Sequence, residues 1–168
     1  MASYKTRAIS IKTAPFAEAD KLVTLFTRDH GKIRAIAKGA RRVPSRFGGR
    51  VETFTYAEYF IANGRSLDIV SQCQVIESFQ WLRESAKCLY SGLYMLKLID
   101  AGTVEGQINP ELFDLLLKFL LKLKEEENVK RLAKQFETEF VKLEGIFREG
   151  IDPQYVLSEH LGKDLSSW

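Results

Sequence analysis

Between residues 4 and 77 the apolar and polar positions alternate in five short runs, and after residue 79 they recur every three or four. The first pattern predicts strands and the second predicts helices. Tyr4–Lys12 (YKTRAISIK) is the first predicted strand, ended at Ala14-Pro15-Phe16. Glu18-Ala19-Asp20 leads into a second, Lys21–Thr27, and Arg28-Asp29-His30-Gly31 forms the hairpin turn, with glycine free to take a left-handed conformation. Lys32–Lys38 returns as the third strand. Phe54–Ile61 and Leu67–Glu77, joined at Asn63-Gly64-Arg65-Ser66, are the fourth and fifth.

In the second half, Leu89, Tyr90, Leu93, Tyr94, Leu96 and Leu98 predict a helix apolar on most sides, ended by Ala101-Gly102. Asn109-Pro110 starts another, with Asn109 as cap and Pro110 at the first helical position. Its buried stripe is Leu112, Leu115, Leu116, Phe119, Leu120 and Leu123. After the polar break Glu125-Glu126-Glu127-Asn128, a third helix carries Val129, Leu132, Phe136, Phe140, Leu143 and Phe147, and Asp152-Pro153 opens a short last one.

The expected fold is therefore α+β, a five-stranded barrel over residues 1–79 followed by an all-helical domain over 80–168. Five short strands with one long third connection suit an oligonucleotide-binding (OB) barrel. An SH3-like barrel has a similar strand count, and the OB fold is the preferred reading.

Charge sharpens this picture. The net charge is only +3, but residues 1–80 hold 13 Lys/Arg against 7 Asp/Glu, and residues 81–168 hold 12 against 15. An anion-binding front half and a neutral-to-acidic back half follow. Within the front half, Gly31–Arg50 (GKIRAIAKGARRVPSRFGGR) has seven basic residues and no acidic one. They are Lys32, Arg34, Lys38, Arg41, Arg42, Arg46 and Arg50. A strand running into a long, mobile, glycine-punctuated cationic loop suits the phosphates of a single-stranded nucleic acid. Phe47 has two open roles: stacking on a base, or closing the end of the barrel.

Other chemistry finds little support. Glu18 and Asp20 share one side of an extended segment but lack the partners of an acid/base or metal site, and serve better as ion-pair partners of the basic strand. His30 and His160 stand alone, and no Ser/His/Asp, Cys/His or His-x-x-x-His arrangement accompanies them. Gly48-Gly49 is not followed by the Lys-Ser or Lys-Thr of a P-loop. Cys73 and Cys88 form neither a C-x-x-C pair nor a disulfide framework. With no signal peptide and no apolar run of about 18–20 residues, the sequence is expected to be cytoplasmic. The readings left are a non-enzymatic nucleic-acid binder without catalytic residues, metal or cofactor; an adaptor whose barrel binds an acidic peptide; and a nuclease using Glu18 and Asp20.

One family shares these residues in this order. Glu18-Ala-Asp20-Lys-Leu-Val-Thr-Leu-Phe-Thr27, Gly31-Lys-Ile, Ala37-Lys-Gly-Ala-Arg-Arg42, Ser45-Arg-Phe-Gly-Gly49, Phe54-Thr, Gly64-Arg-Ser-Leu67 and Asn109-Pro-Glu-Leu-Phe-Asp-Leu-Leu116 resemble the RecO family of bacterial recombination-repair mediators. The resemblance implies an N-terminal OB fold, a helical C-terminal domain, and a role in DNA repair and recombination. It further implies binding of single-stranded and double-stranded DNA, strand annealing, and association with the nucleoid. Partners implied are RecR and single-stranded-DNA-binding protein, with RecA loaded as the indirect result.

Family members usually carry a cysteine zinc module after the helix that Phe136-Glu137 and Leu143-Glu-Gly145 resemble. Here there are no cysteines for it, yet Leu157-Ser-Glu-His-Leu-Gly162 with Leu165-Ser166 is similar to the family's terminal helix. The expectation is a short form missing the module from its interior. Zinc-dependent properties are not carried over. Trp168 is expected to cover either the helical bundle or a partner.

Overall fold

A computed structural model describes residues 2–45 and 47–166. Trp168 and Arg46, named above, lie outside the described residues. Among the described residues five strands form, β1 (Ser3–Phe16), β2 (Asp20–Thr27), β3 (Gly31–Ala37), β4 (Tyr56–Ala62) and β5 (Asp68–Glu77). Five helices follow, α1 (Gln80–Arg83), α2 (Ala86–Gly102), α3 (Pro110–Lys122), α4 (Val129–Leu143) and α5 (Pro153–Leu161).

The sheet closes in the order β1-β2-β3-β5-β4, with β1 pairing both β2 and β4 antiparallel and β3 pairing β5 parallel. This is the OB arrangement, so the barrel is of that type and not SH3-like. Alternation places Ala8, Val23, Leu25, Ala35, Ala37, Ala57, Tyr59, Ile61 and Val70 inside, where they form one apolar core.

β1 does not stop at Lys12, and Ala14-Pro15-Phe16 does not break it. It continues to Phe16, with Pro15 opposite Lys21. β4 pairs β1 only from Ser3 to Ile9, so beyond that point one edge of β1 has no β4 partner. A residue without an N–H is tolerated there. At Gly31 φ is 72°, and a Cβ would lie 2.5 Å from the carbonyl oxygen of Gln107, so both conformation and space require glycine.

The chain divides into two compact units, Met1–Phe79 with Thr103–Pro110, and Gln80–Gly102 with Glu111–Trp168. Residues 103–110, which join α2 to α3 in sequence, pack on the barrel, and Lys32 and Glu105 form a parallel bridge.

Within the helical unit α2 buries Tyr94, Met95, Leu96, Leu98 and Ile99, while Tyr90 is exposed. α3 buries Leu112, Phe113, Leu116, Phe119 and Leu120. Phe119 and Phe136 meet edge to face at 5.5 Å, and Gly102 leaves room for the Phe140 ring. Asn128 caps α4 by accepting from Arg131 N–H at 3.1 Å, and Asp152 caps α5. α4 stops at Leu143, short of Phe147, because the chain turns through Gly145 at φ 72°.

Candidate nucleic-acid interface

The β3–β4 connection has no regular secondary structure among its described residues, yet it is tightly fastened. Ala40, Phe47 and Val51 sit in the barrel core at 7%, 2% and 0% exposure. At its far end Ser10, at a bulge in β1, donates from N to the Thr55 carbonyl oxygen at 3.0 Å and accepts from Phe54 N at 2.7 Å. At its near end the Gly39 N–H donates to Asp20 Oδ1 at 2.8 Å.

Arg41 completes the anchorage. Its Nε donates to the Asp20 carbonyl oxygen at 3.0 Å, and its Nη2 donates to those of Ala17 and Glu18 at 2.8 and 2.7 Å. A guanidinium fork reaches three carbonyls of one turn in a way that a lysine does not. The loop read from sequence as mobile is instead a plug with an anchored base.

The basic residues are therefore not equivalent. Lys32 is 9% exposed, and its Nζ donates to the carbonyl oxygen of Thr103 at 2.8 Å. Its amine is thereby engaged within the barrel unit. Arg34 pairs with Glu105 at 2.8 Å, with both side chains about half exposed. Such a surface pair is weak enough to be exchanged for a phosphate. Phe47, 2% exposed, packs into the barrel core, which favours the barrel-closing role over stacking. Lys38, Arg42 and Arg50 are exposed, and their side chains make no ion pair among the described residues. Arg46 lies outside the described residues.

The nearby acids do not neutralise these three. Asp20 accepts from a backbone amide, Glu52 pairs with Lys21, and Glu18 contributes only its carbonyl to Arg41. The expected ion pairing of Glu18 and Asp20 with the basic strand is thus replaced by backbone contacts. No cluster of three or more His, Cys, Asp or Glu side chains among the described residues is placed to hold a metal ion. Both cysteines are free, and burial pushes the Cys73 thiol up to about 11. No helix among the described residues is long and apolar enough to cross a membrane.

Sequence reasoning passed over the carbonyl set of the β1–β2 turn, because backbone groups leave no mark in composition. It also passed over the outward cations Lys5 and Arg7 on β1, which are exposed. Their period-2 spacing with buried Thr6 and Ala8 was the available signal.

Residues 1–79 match the family described as Recombination protein O N terminal, and residues 83–147 the family described as Recombination protein O C terminal. The chain belongs to the RecO family. It is similar to the DNA repair protein RecO of Pelotomaculum thermopropionicum, 39% identical over 145 residues, covering 86% of this chain and 56% of that protein. Similarity to the DNA repair protein RecO of Alkaliphilus metalliredigens is 37% over 143 residues, 84% of this chain and 58% of the relative. For that of Desulfitobacterium hafniense it is 41% over 120 residues, 71% and 44%. The chain thus spans about half the length of these RecO relatives.

Proposed function

We propose that the chain is a DNA-binding recombination mediator in DNA repair. It binds and anneals single-stranded DNA and, with RecR, helps load RecA onto strands coated by single-stranded-DNA-binding protein. The observation that carries this reading is the group of unpaired, exposed cations, Lys38, Arg42 and Arg50, on one anchored loop of an OB barrel. RecO membership supplies the biological setting, and the partner proteins follow from it. The same reading puts the chain with DNA in the cytoplasm, at the nucleoid.

Lys38, Arg42 and Arg50 bind phosphates and release condensed counterions, so affinity falls steeply with salt. Arg34 joins them when phosphate displaces Glu105. Arg41 positions the loop and adds its charge. Lys32 and Phe47 are not part of the contact set. Shielding phosphates on two strands lets complementary bases meet, so annealing proceeds without bond chemistry.

The test is annealing of complementary oligonucleotides coated with single-stranded-DNA-binding protein, with and without RecR. Acceleration by the chain, changed further by RecR, supports the proposal. No acceleration, or preferential binding of an acidic peptide in competition with the oligonucleotide, overturns it.

A further inference from the structure

The cationic loop does not account for a second surface on the barrel. Strand register places Lys5 opposite Phe60 across β1 and β4, and Phe60 opposite Gln72 across β4 and β5. The adjoining row is Arg7, Glu58 and Gln74. Residues directly opposite on neighbouring strands share a face. Ala57, Tyr59 and Ile61 fill the core, so Glu58 and Phe60 between them point outward. Lys5, Arg7, Gln72 and Gln74 are exposed, and Phe60 is partly so. The side chains in both rows make no hydrogen bond, ion pair or ring contact among the described residues. Beside Phe60 the sheet carries a hollow of about 580 Å³, edged by Gln72, Gln74 and Arg50 of the loop.

From this we infer that the outer face of β1, β4 and β5 is a base-binding subsite for single-stranded nucleic acid. It rests on the nucleic-acid reading of the loop and adds to it what the loop cannot do. Phosphates lie along Lys5 and Arg7 at one margin and Arg50 at the other. An unstacked base lies on the Phe60 ring, since every base has a face that stacks on an aromatic side chain. The amides of Gln72 and Gln74 each offer a donor and an acceptor to base edges. Glu58, the one acid in these two rows, can accept only from a donor such as a base amino group, and it disfavours a phosphate at that point. Continuity with the loop through Arg50 and the excess of cations at the margins fit a strand with bases inward and phosphates outward. A duplex keeps its bases within its own stack, so this face selects single strands.

The experiment compares the full chain and Phe60→Leu for binding to an oligothymidylate, an abasic oligonucleotide of equal length, and a duplex, by fluorescence anisotropy. Wild type is expected to prefer oligothymidylate, and Phe60→Leu to lose roughly tenfold on it alone. Abasic and duplex affinities and the salt slope stay the same, and Phe60→Trp retains the preference. Equal affinity of wild type for oligothymidylate and abasic strands, or an unaffected Phe60→Leu, overturns the subsite while leaving the loop reading intact. Absence of wild-type binding to all three overturns both. Should Phe60→Leu fail to fold, photocrosslinking wild type to an iodouracil-bearing strand decides: an adduct on Phe60 supports the subsite, and adducts confined to loop residues overturn it.

Discussion

Lys32 donates its amine to the carbonyl oxygen of Thr103 at 2.8 Å, across 71 residues of chain, in a buried contact. A residue that looks like the start of a DNA-binding stretch is thereby a structural member of the barrel. Lys32→Met keeps the aliphatic stem but removes the hydrogen bond to that carbonyl. It is expected to lower stability by about 1–3 kcal/mol in urea denaturation. DNA affinity of the folded variant should be unchanged, and a selective loss of affinity would return Lys32 to the interface.

Arg41 and Arg42 are neighbours with different work. Arg42→Gln removes one of the charges proposed to bind phosphate, so oligonucleotide affinity and the salt slope should fall, the slope by about 0.7 for a single strand. Thermal stability should hold. Arg41→Lys retains the charge but loses the fork over Ala17, Glu18 and Asp20. It is expected to lower the melting temperature and weaken binding without a matching change in salt slope.

How far the sequence speaks is visible in these same residues. Alternation identified five strands because each has one face on the barrel core, as with Ala35 and Ala37 inside and Arg34 outside. The cover over Lys32 was not legible, because it comes from residues 103–110, far downstream and without a strand-like period of their own. Pro15 was misread because a breaker in isolation becomes harmless where the strand has a vacant edge. Phe147 was read into α4 by spacing alone, but Gly145 ends the helix first and leaves the ring 44% exposed under Lys142. For the site, the concentration of charge was legible. Which cations are free, clamped or buried depended on backbone carbonyls that no residue type announces.

In the helical unit, Tyr94 donates to Glu137, and Gln154 donates to Tyr94 Oη at 3.3 Å and to the Leu165 carbonyl oxygen at 2.8 Å. Burial pushes the Glu137 carboxyl above its usual range, outweighing the Tyr94 hydrogen bond and the nearby Lys134, while Asp152 adds to the rise. A carboxyl with a raised folded-state value binds more protons folded than unfolded. Its effect on stability is therefore most favourable below the unfolded glutamate value and declines as pH rises through the folded one. Glu137→Gln should remove that decline, so its stability relative to wild type should grow with pH above the ordinary glutamate range and then level off. Tyr94→Phe removes this donor from the buried Glu137 carboxyl and is expected to cost about 1–3 kcal/mol. Parallel pH–stability curves for wild type and Glu137→Gln would contradict this account.

Cys73 is buried beside Tyr59, with its thiol donating to the Arg50 carbonyl oxygen at 3.4 Å. Burial holds the thiol protonated at neutral pH, and thiolate is the reactive form. A thiol reagent should leave Cys73 unmodified in the native protein and label it after denaturation. Mass spectrometry of the tryptic peptides reads this directly, and rapid native labelling would mean that the loop does not seal the barrel end.

The central claim is that free cations of the β3–β4 loop bind DNA through phosphates. Fluorescence anisotropy with a single-stranded oligonucleotide, for wild type and the Lys38→Gln, Arg42→Gln, Arg50→Gln triple variant, tests it most directly. Between about 50 and 200 mM salt, the variant should bind more weakly with a log–log salt slope shallower by about 2. Wild-type affinity and slope in a correctly folded triple variant would contradict the account.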